Sequence, residues 1–81
     1  MAQIDLSRTK RIDKNRNVVH DKVSCTYTAF ENAGNKYIQI DTYGRVERET
    51  PEKLSQSLQF DKESAKFLVD LLIREFNLNL M

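Results

Sequence analysis

Two runs of alternating side chains on either side of a short turn constrain this chain more than any other feature. In the first run Cys25, Tyr27 and Ala29 alternate with threonines, and in the second Ile38 and Ile40 alternate with polar residues. Apolar, β-branched and aromatic residues at period 2 are typical of strands. Gly34 lies between them in Asn-Ala-Gly-Asn, a sequence that suits a tight turn. The pattern predicts a β-hairpin with strands from Val18 to Glu31 and from Lys36 to Tyr43.

A third strand and a helix are predicted after the hairpin. Leu54, Leu58 and Phe60 alternate with serine and glutamine, which predicts a strand from Leu54 to Phe60. Asp61 is a good N-cap, so a helix should run from Lys62 to Phe76. The predicted fold is α+β, an antiparallel sheet of three to four strands packed on one C-terminal helix in the order β-β-β-α.

An apolar stripe of this helix is expected to cover the apolar face of the sheet. The stripe comprises Ala65, Leu68, Val69, Leu72 and Phe76. We therefore expect six side chains to be buried together, namely Ile38, Ile40, Leu58, Phe60, Leu68 and Leu72. The opposite face of the sheet should be polar and carry Thr26, Thr28, Tyr37, Gln39, Asp41, Tyr43, Ser55, Ser57 and Gln59.

The helix has more apolar surface than one sheet face needs. Phe67 and Leu71 lie off the predicted core stripe, and Leu78 follows the helix. Apolar surface in excess of the core often marks an interface with a second protein, and an 81-residue chain builds only a small core. Phe67, Leu71 and Leu78 are therefore predicted to form a homodimer interface. The alternative is that the N-terminal segment or the C-terminal tail folds back over them.

The N-terminal segment differs from the rest in charge. Residues 1–17 have few large apolar side chains, and we expect them to form a flexible basic arm attached to a single domain of residues 18–81. The basic residues expected to contact nucleic acid phosphates from this arm are Lys10, Arg11, Lys14 and Arg16. The alternative is a solvated tail.

Several classes of function are disfavoured by what the sequence contains. Cys25 is the single cysteine and His20 the single histidine, so a disulfide within the chain is excluded and a metal site is not expected. With two glycines in the chain, no Gly-rich phosphate loop is present. We expect a protein that is not an enzyme, uses no cofactor, does not enter a membrane and resides in the cytoplasm.

Aromatic and basic residues near the second strand form the one constellation that suggests a ligand. Tyr37 and Tyr43 are predicted on the polar face of the sheet, where tyrosine rings can stack on unpaired bases. Tyrosine is also simply a common strand residue. The basic residues that could contact phosphates beside them are Lys36, Arg45, Arg48 and Lys53.

The stretch from Tyr37 to Leu72 resembles a known family. It reads Y-I-Q-I-D-T-Y-G, then a charged loop, then K-L-S-Q-S-L-Q-F-D and an amphipathic helix. This order resembles the positive-cofactor-four (transcriptional coactivator p15) family of single-stranded-DNA-binding proteins. The resemblance implies an antiparallel sheet that grips single strands and a dimer formed partly through the helix. Lys36, Tyr43, Arg45 and Lys53 match the family's binding positions best. The chain also resembles small bacterial and phage proteins of similar length, which imply no function.

Two functional hypotheses from different classes follow. The first is a small module that binds single-stranded DNA or RNA through its sheet face and basic arm. The second is a protein-interaction module, such as a small regulator or inhibitor, that docks a protein partner and binds no nucleic acid. The near-neutral net charge of +1 and the wide apolar arc of the helix suit the second hypothesis equally well.

Overall fold

The computed structural model describes residues 1–44 and 53–79. These residues form four strands and one α-helix: β1 (Ala2–Gln3), β2 (Cys25–Asn32), β3 (Asn35–Tyr43), β4 (Leu54–Phe60) and α1 (Lys62–Phe76). A short 3-10 helix spans Leu6–Arg8 between β1 and β2. The chain is an α+β protein with a C-terminal helix, as the sequence predicts.

The predicted hairpin is confirmed in β2 and β3, which pair antiparallel from Cys25 opposite Thr42 to Asn32 opposite Asn35. Its turn has Ala33 at φ 52° and Gly34 at φ 80°. Two successive positive φ angles match the right-handed twist of the strands on either side of such a turn. The prediction that the first strand starts at Val18 is wrong, because β3 has nine residues and offers no pairing partner to residues 18–22.

The four strands form one sheet in the order β1-β4-β3-β2. β4 pairs antiparallel with β3 and parallel with β1, where Ala2 lies opposite Leu58 and Gln3 opposite Gln59. The sheet is therefore mixed, and the prediction of a purely antiparallel sheet is wrong. The N-terminal strand adds to the free edge of β4, and nothing in two residues of sequence indicates its partner or direction.

The first eight residues of the predicted arm pack against the rest of the chain. Beyond β1, the Ile4 amide donates to the Gln59 carbonyl at 2.9 Å. Asp5 caps the 3-10 helix by accepting from the Ser7 amide at 3.0 Å and from Arg8 Nε at 2.9 Å. The Ser7 hydroxyl and then Arg8 hold the pKa of Asp5 below its ordinary value. Residues 9–24 follow without regular secondary structure and are exposed.

Asp61 starts α1 as predicted. Its carboxylate accepts from the Ser64 amide at 2.8 Å, and the Ser64 hydroxyl accepts from the Asp61 amide at 3.0 Å, which completes a capping box. The bond from the Ser64 amide is the main reason that the pKa of Asp61 is lowered. Asn77 ends the helix at φ 52° in the left-handed conformation, where asparagine is tolerated.

The helix packs with a different face from the predicted one. Its main neighbours are β4 and the 3-10 helix. Leu6 and Phe67 line the same small cavity, and Phe67 and Leu71 are half-buried within their own chain. Leu6 of the N-terminal segment thus lies beside Phe67. The homodimer interface of Phe67, Leu71 and Leu78 and its alternative, an N-terminal segment or C-terminal tail folded over them, both stay predictions. Leu78 is 45% exposed.

The predicted core stripe is largely uncovered. Phe60 is buried at 9% exposure, while Ile38, Ile40 and Leu68 are intermediate. The prediction that Leu58 and Leu72 are buried with them is wrong, since they are 37% and 39% exposed. Val69 and Phe76 also face solvent, because α1 does not extend across the sheet.

The part of the apolar sheet face that belongs to β2 is also exposed to solvent. Tyr27 is 82% exposed, and Cys25, which the alternation predicts to face inward and be buried, is exposed as well. The alternation correctly assigns these side chains to one face, because Tyr27 lies opposite Ile40. Alternation alone does not reveal whether another part of the chain covers that face, and at β2 no described residue does.

Candidate functional site

The polar face of the sheet brings most of the predicted site residues of β3 together. Tyr37, Gln39, Asp41 and Tyr43 alternate along β3 and share this face, with Gln59 of β4 directly opposite Gln39. Because side chains of adjacent strands in register lie on the same side, the surface continues across all four strands. Gln3 extends it to β1, opposite Gln59.

Aromatic rings occupy both ends of this face. Phe30 lies directly opposite Tyr37, and their rings stack with centroids 5.5 Å apart and planes 24° apart. Tyr43 lies six residues further along β3, which is about 20 Å of strand. Its hydroxyl shares a hydrogen bond of 2.9 Å with the Thr26 hydroxyl on β2, and this bond fixes the ring across the hairpin.

A hydrogen-bonded network fills the space between the aromatic ends. Gln59 Nε2 donates to Gln39 Oε1 at 2.7 Å, and Gln39 Nε2 donates to Asp41 Oδ1 at 3.0 Å. The hydroxyl of Ser57, which is buried, donates to the same Asp41 oxygen. The carboxylate of Asp41 is therefore engaged by its neighbours, and it orients the two glutamine amides.

A β-bulge alters the edge of this surface near Tyr43. The register shifts between Thr42 and Tyr43, so that Tyr43 pairs with Leu54. Leu54 then lines a shallow depression with Ser57 and Gln59. The sequence predicts Leu54 on the apolar face with Leu58, and the bulge reverses that assignment because one extra residue flips the side-chain alternation.

The predicted basic residues do not all come to this face. Lys53 lies beside its Tyr43 end, because the Gly44 amide donates to the Lys53 carbonyl at 3.1 Å. Lys36 is exposed at the hairpin end, and strand alternation directs it to the face opposite Tyr37. Arg45 and Arg48 lie outside the described residues.

The basic residues of the N-terminal segment are exposed, and one of them is tied to the helix. Arg11 Nη1 donates to Glu75 at 3.0 Å, and its Nε donates to Asp13 at 3.3 Å. These bonds, Glu75 first, raise the pKa of Arg11. They also hold the segment beside the end of α1, while Lys10, Lys14 and Arg16 are exposed without being placed at the sheet face.

Two contributors to the polar face were missed by the sequence analysis. Phe30 continues the alternation of Thr26 and Thr28, so extending that pattern by one step would have placed its ring on this face. Gln3 reaches the face only through the parallel pairing of β1 with β4, and no local sequence signal indicates that contact.

Comparison of the chain with protein-family models, curated proteins and solved structures gives no match, so the family resemblance stays a prediction. Within residues 1–44 and 53–79, no cluster of three or more His, Cys, Asp or Glu side chains could hold a metal ion. The described helices include none with the length and apolar character needed to span a membrane.

Proposed function

We propose that this protein binds single-stranded nucleic acid through the polar face of its sheet. The observation that carries the proposal is the presence of three aromatic rings on that one face: the stacked pair Phe30 and Tyr37 at one end, and Tyr43 at the other. Rings held on a sheet provide stacking surfaces for unpaired bases, worth about 1–3 kcal/mol per base.

The rings are held in place by contacts within the sheet. Tyr37 stacks on Phe30, and Tyr43 is hydrogen-bonded to Thr26. A ring that is already oriented loses little conformational freedom when a base stacks on it. The half-buried state of Phe30, Tyr37 and Tyr43 fits this role, because each ring keeps accessible surface while packing on the sheet.

The network between the rings adds polar recognition. Gln39 and Gln59 are held side by side by the bond between their amides, and each amide can both donate and accept. Such groups can pair with the exposed edges of unstacked bases. Asp41 places one negative charge in the middle of the path, and its carboxylate accepts hydrogen bonds from Ser57 and Gln39.

Phosphate contacts would come from the rim of this face. Lys53 lies next to the Tyr43 end, and the exposed Lys10, Lys14 and Arg16 belong to a segment without regular structure. With about four to six cations near phosphates, the slope of log affinity against log salt should be about −3 to −4 for a single strand.

Fluorescence anisotropy with a labelled single-stranded oligonucleotide at low and high salt tests this proposal. We expect saturable binding that prefers single strands over the matching duplex and weakens with the predicted slope. If no oligonucleotide changes the anisotropy at low salt, the proposal is wrong and a protein-interaction module is the better account.

A further inference from the structure

The depression beside Tyr43 is lined by amide side chains from three neighbouring strands. These are Gln3 of β1, Gln59 of β4 and Gln39 of β3, and we call the site the amide depression. Leu54, which pairs with Tyr43, gives it an apolar wall. Its volume is about 370 Å³, toward the lower end of the roughly 300–1,000 Å³ that small-molecule sites span. The amide depression therefore has room for a single base.

Asp41 sets the direction of the hydrogen bonds along this row of amides. A carboxylate accepts hydrogen bonds and donates none. Gln39 therefore turns its Nε2 towards Asp41, at 3.0 Å from Oδ1 and 3.3 Å from Oδ2. Its Oε1 is left to accept from Gln59 Nε2 at 2.7 Å. In both glutamines the amide nitrogen thus points back along the row towards Asp41.

Most of the hydrogen-bonding groups that remain available in the amide depression are acceptors. Gln59 Oε1 receives no hydrogen bond from residues 1–44 and 53–79. Gln39 Oε1 keeps a second lone pair, and the Ser57 hydroxyl gives its hydrogen to Asp41, so its oxygen can only accept. Against these three oxygens, one hydrogen of Gln59 Nε2 remains to donate, while the exposed Gln3 amide can turn either way. A ligand that brings hydrogen-bond donors is therefore favoured.

We propose that, in the single-strand binding on which this inference rests, the amide depression selects bases that carry an exocyclic amino group. Cytosine, adenine and guanine have such a group, and thymine and uracil do not. In cytosine the amino group stands beside a ring nitrogen that accepts, so Gln59 can accept from one through Oε1 and donate to the other through Nε2. Uracil has one ring N–H, but a carbonyl oxygen flanks it on each side, and one of the two would meet an acceptor of the row.

The amide depression lies where a bound strand would pass. Because Leu54 pairs with Tyr43, a base that stacks on the Tyr43 ring has the depression next to it. The neighbouring base of the strand can then enter with its face against Leu54 and its edge towards Gln59. Stacking on the rings and contacts to phosphates tolerate any base, so selection comes from this edge contact.

Fluorescence anisotropy with labelled dodecamers of deoxycytidine and of deoxyuridine at neutral pH tests the proposal. The two bases have rings of the same size, so stacking and charge are closely matched. We expect the wild type to bind the deoxycytidine dodecamer about tenfold more tightly. Equal affinities overturn the selection of amino-bearing bases but leave single-strand binding standing. An absence of binding to either dodecamer overturns both.

A matched pair of variants assigns the preference to the amide depression. Gln59→Met keeps the length of the side chain and removes both amide groups. Gln56→Met makes the same change in the same strand but on the opposite face, where Gln56 lies across from Thr42. We expect Gln59→Met to bind the two dodecamers within about twofold of each other, and Gln56→Met to keep the wild-type ratio. A Gln59→Met variant that keeps the full preference overturns the proposal.

A change in the ligand gives an equivalent test with the wild-type protein if Gln59→Met does not fold. In the pyrimidinone analogue of deoxycytidine, a hydrogen atom replaces the amino group and the accepting ring nitrogen is kept. We expect a dodecamer of this analogue to bind about tenfold more weakly than the deoxycytidine dodecamer. Equal affinity for the two would show that the amino group is not recognised, and it overturns the proposal.

Discussion

The ring of Phe30 stacks on the ring of Tyr37 across the first hairpin, with 5.5 Å between the centroids. The two residues lie opposite each other in the antiparallel register of β2 and β3, and both point to the polar face. Tyr27, three residues before Phe30, points to the other face and is 82% exposed. One hairpin therefore presents aromatic rings on both sides, in very different surroundings.

This arrangement gives a test of which face binds single strands. Tyr37→Ala and Phe30→Ala should each weaken oligonucleotide binding by about tenfold or more, since a stacked base is worth about 1–3 kcal/mol. The slope of log affinity against log salt should stay the same, because stacking releases no counterions. Tyr27→Ala is the matched control, and an equal loss of affinity in that variant would place binding elsewhere.

Asp41 offers a test in which affinity should rise. Asp41→Asn removes the negative charge from the polar face while keeping a side-chain oxygen that can accept from Ser57 and Gln39. Removing one repulsive charge some 8 Å from a phosphate should tighten binding about twofold at low salt. Asp70→Asn on α1 makes the same change of charge away from the sheet and should have no effect. Weaker binding by Asp41→Asn would mean that the carboxylate itself contacts the ligand.

Asp61 links the helix cap to the pH dependence of stability. Its pKa is lowered in the folded chain, chiefly by the Ser64 amide, so the folded state favours the ionised carboxylate more than the unfolded state does. The stabilisation is complete above about pH 4 and is lost as the pH falls through the lowered pKa.

Asp61→Asn keeps a capping oxygen but cannot ionise, and it isolates this effect. Between pH 7 and about pH 2 the thermal midpoint of the wild type should fall further than that of the variant. The carboxylate of Asp5 titrates in both proteins and cancels from the comparison. Equal acid sensitivity in the two proteins would show that the cap charge contributes nothing.

Leu6 tests whether the N-terminal segment is part of the folded unit. The side chain is 36% exposed and lines a cavity with Phe67, so Leu6→Ala should destabilise the protein by about 1 kcal/mol. Val19→Ala removes apolar atoms from a side chain that is 96% exposed and should leave the urea midpoint unchanged. Identical midpoints for both variants would show that residues 1–17 behave as a free arm.

Local signals were enough to predict β4 and α1 with the bounds that the structure shows. Because Asp61 is an N-cap, the helix begins at the next residue, Lys62. The alternation of apolar and polar residues from Leu54 to Phe60 indicates a strand with those bounds. The turn at Ala33 and Gly34 was equally clear, because glycine relieves the cost of positive φ there. For the candidate site, alternation placed Tyr37, Gln39, Asp41 and Tyr43 on one face.

Contacts between distant residues decided the rest. The predicted strand starts at Val18, but a strand extends only as far as its pairing partner, and the pairing with β3 begins at Cys25. The parallel addition of β1 and the bond from Arg11 to Glu75 depend on how the N-terminal segment folds back.

The amino-acid sequence by itself determined the strands, the helix and the two chemically distinct faces of the sheet, because period, turn and cap are properties of neighbouring residues. The tertiary structure decided which apolar arc of α1 packs within the chain. The helix has two apolar arcs, one through Phe67 and Leu71 and one through Val69, Leu72 and Phe76. The first is half-buried against the rest of the chain, and the second is exposed. Leu6 lines a cavity with Phe67, and periodicity alone carries no information about a neighbour so far away in the chain.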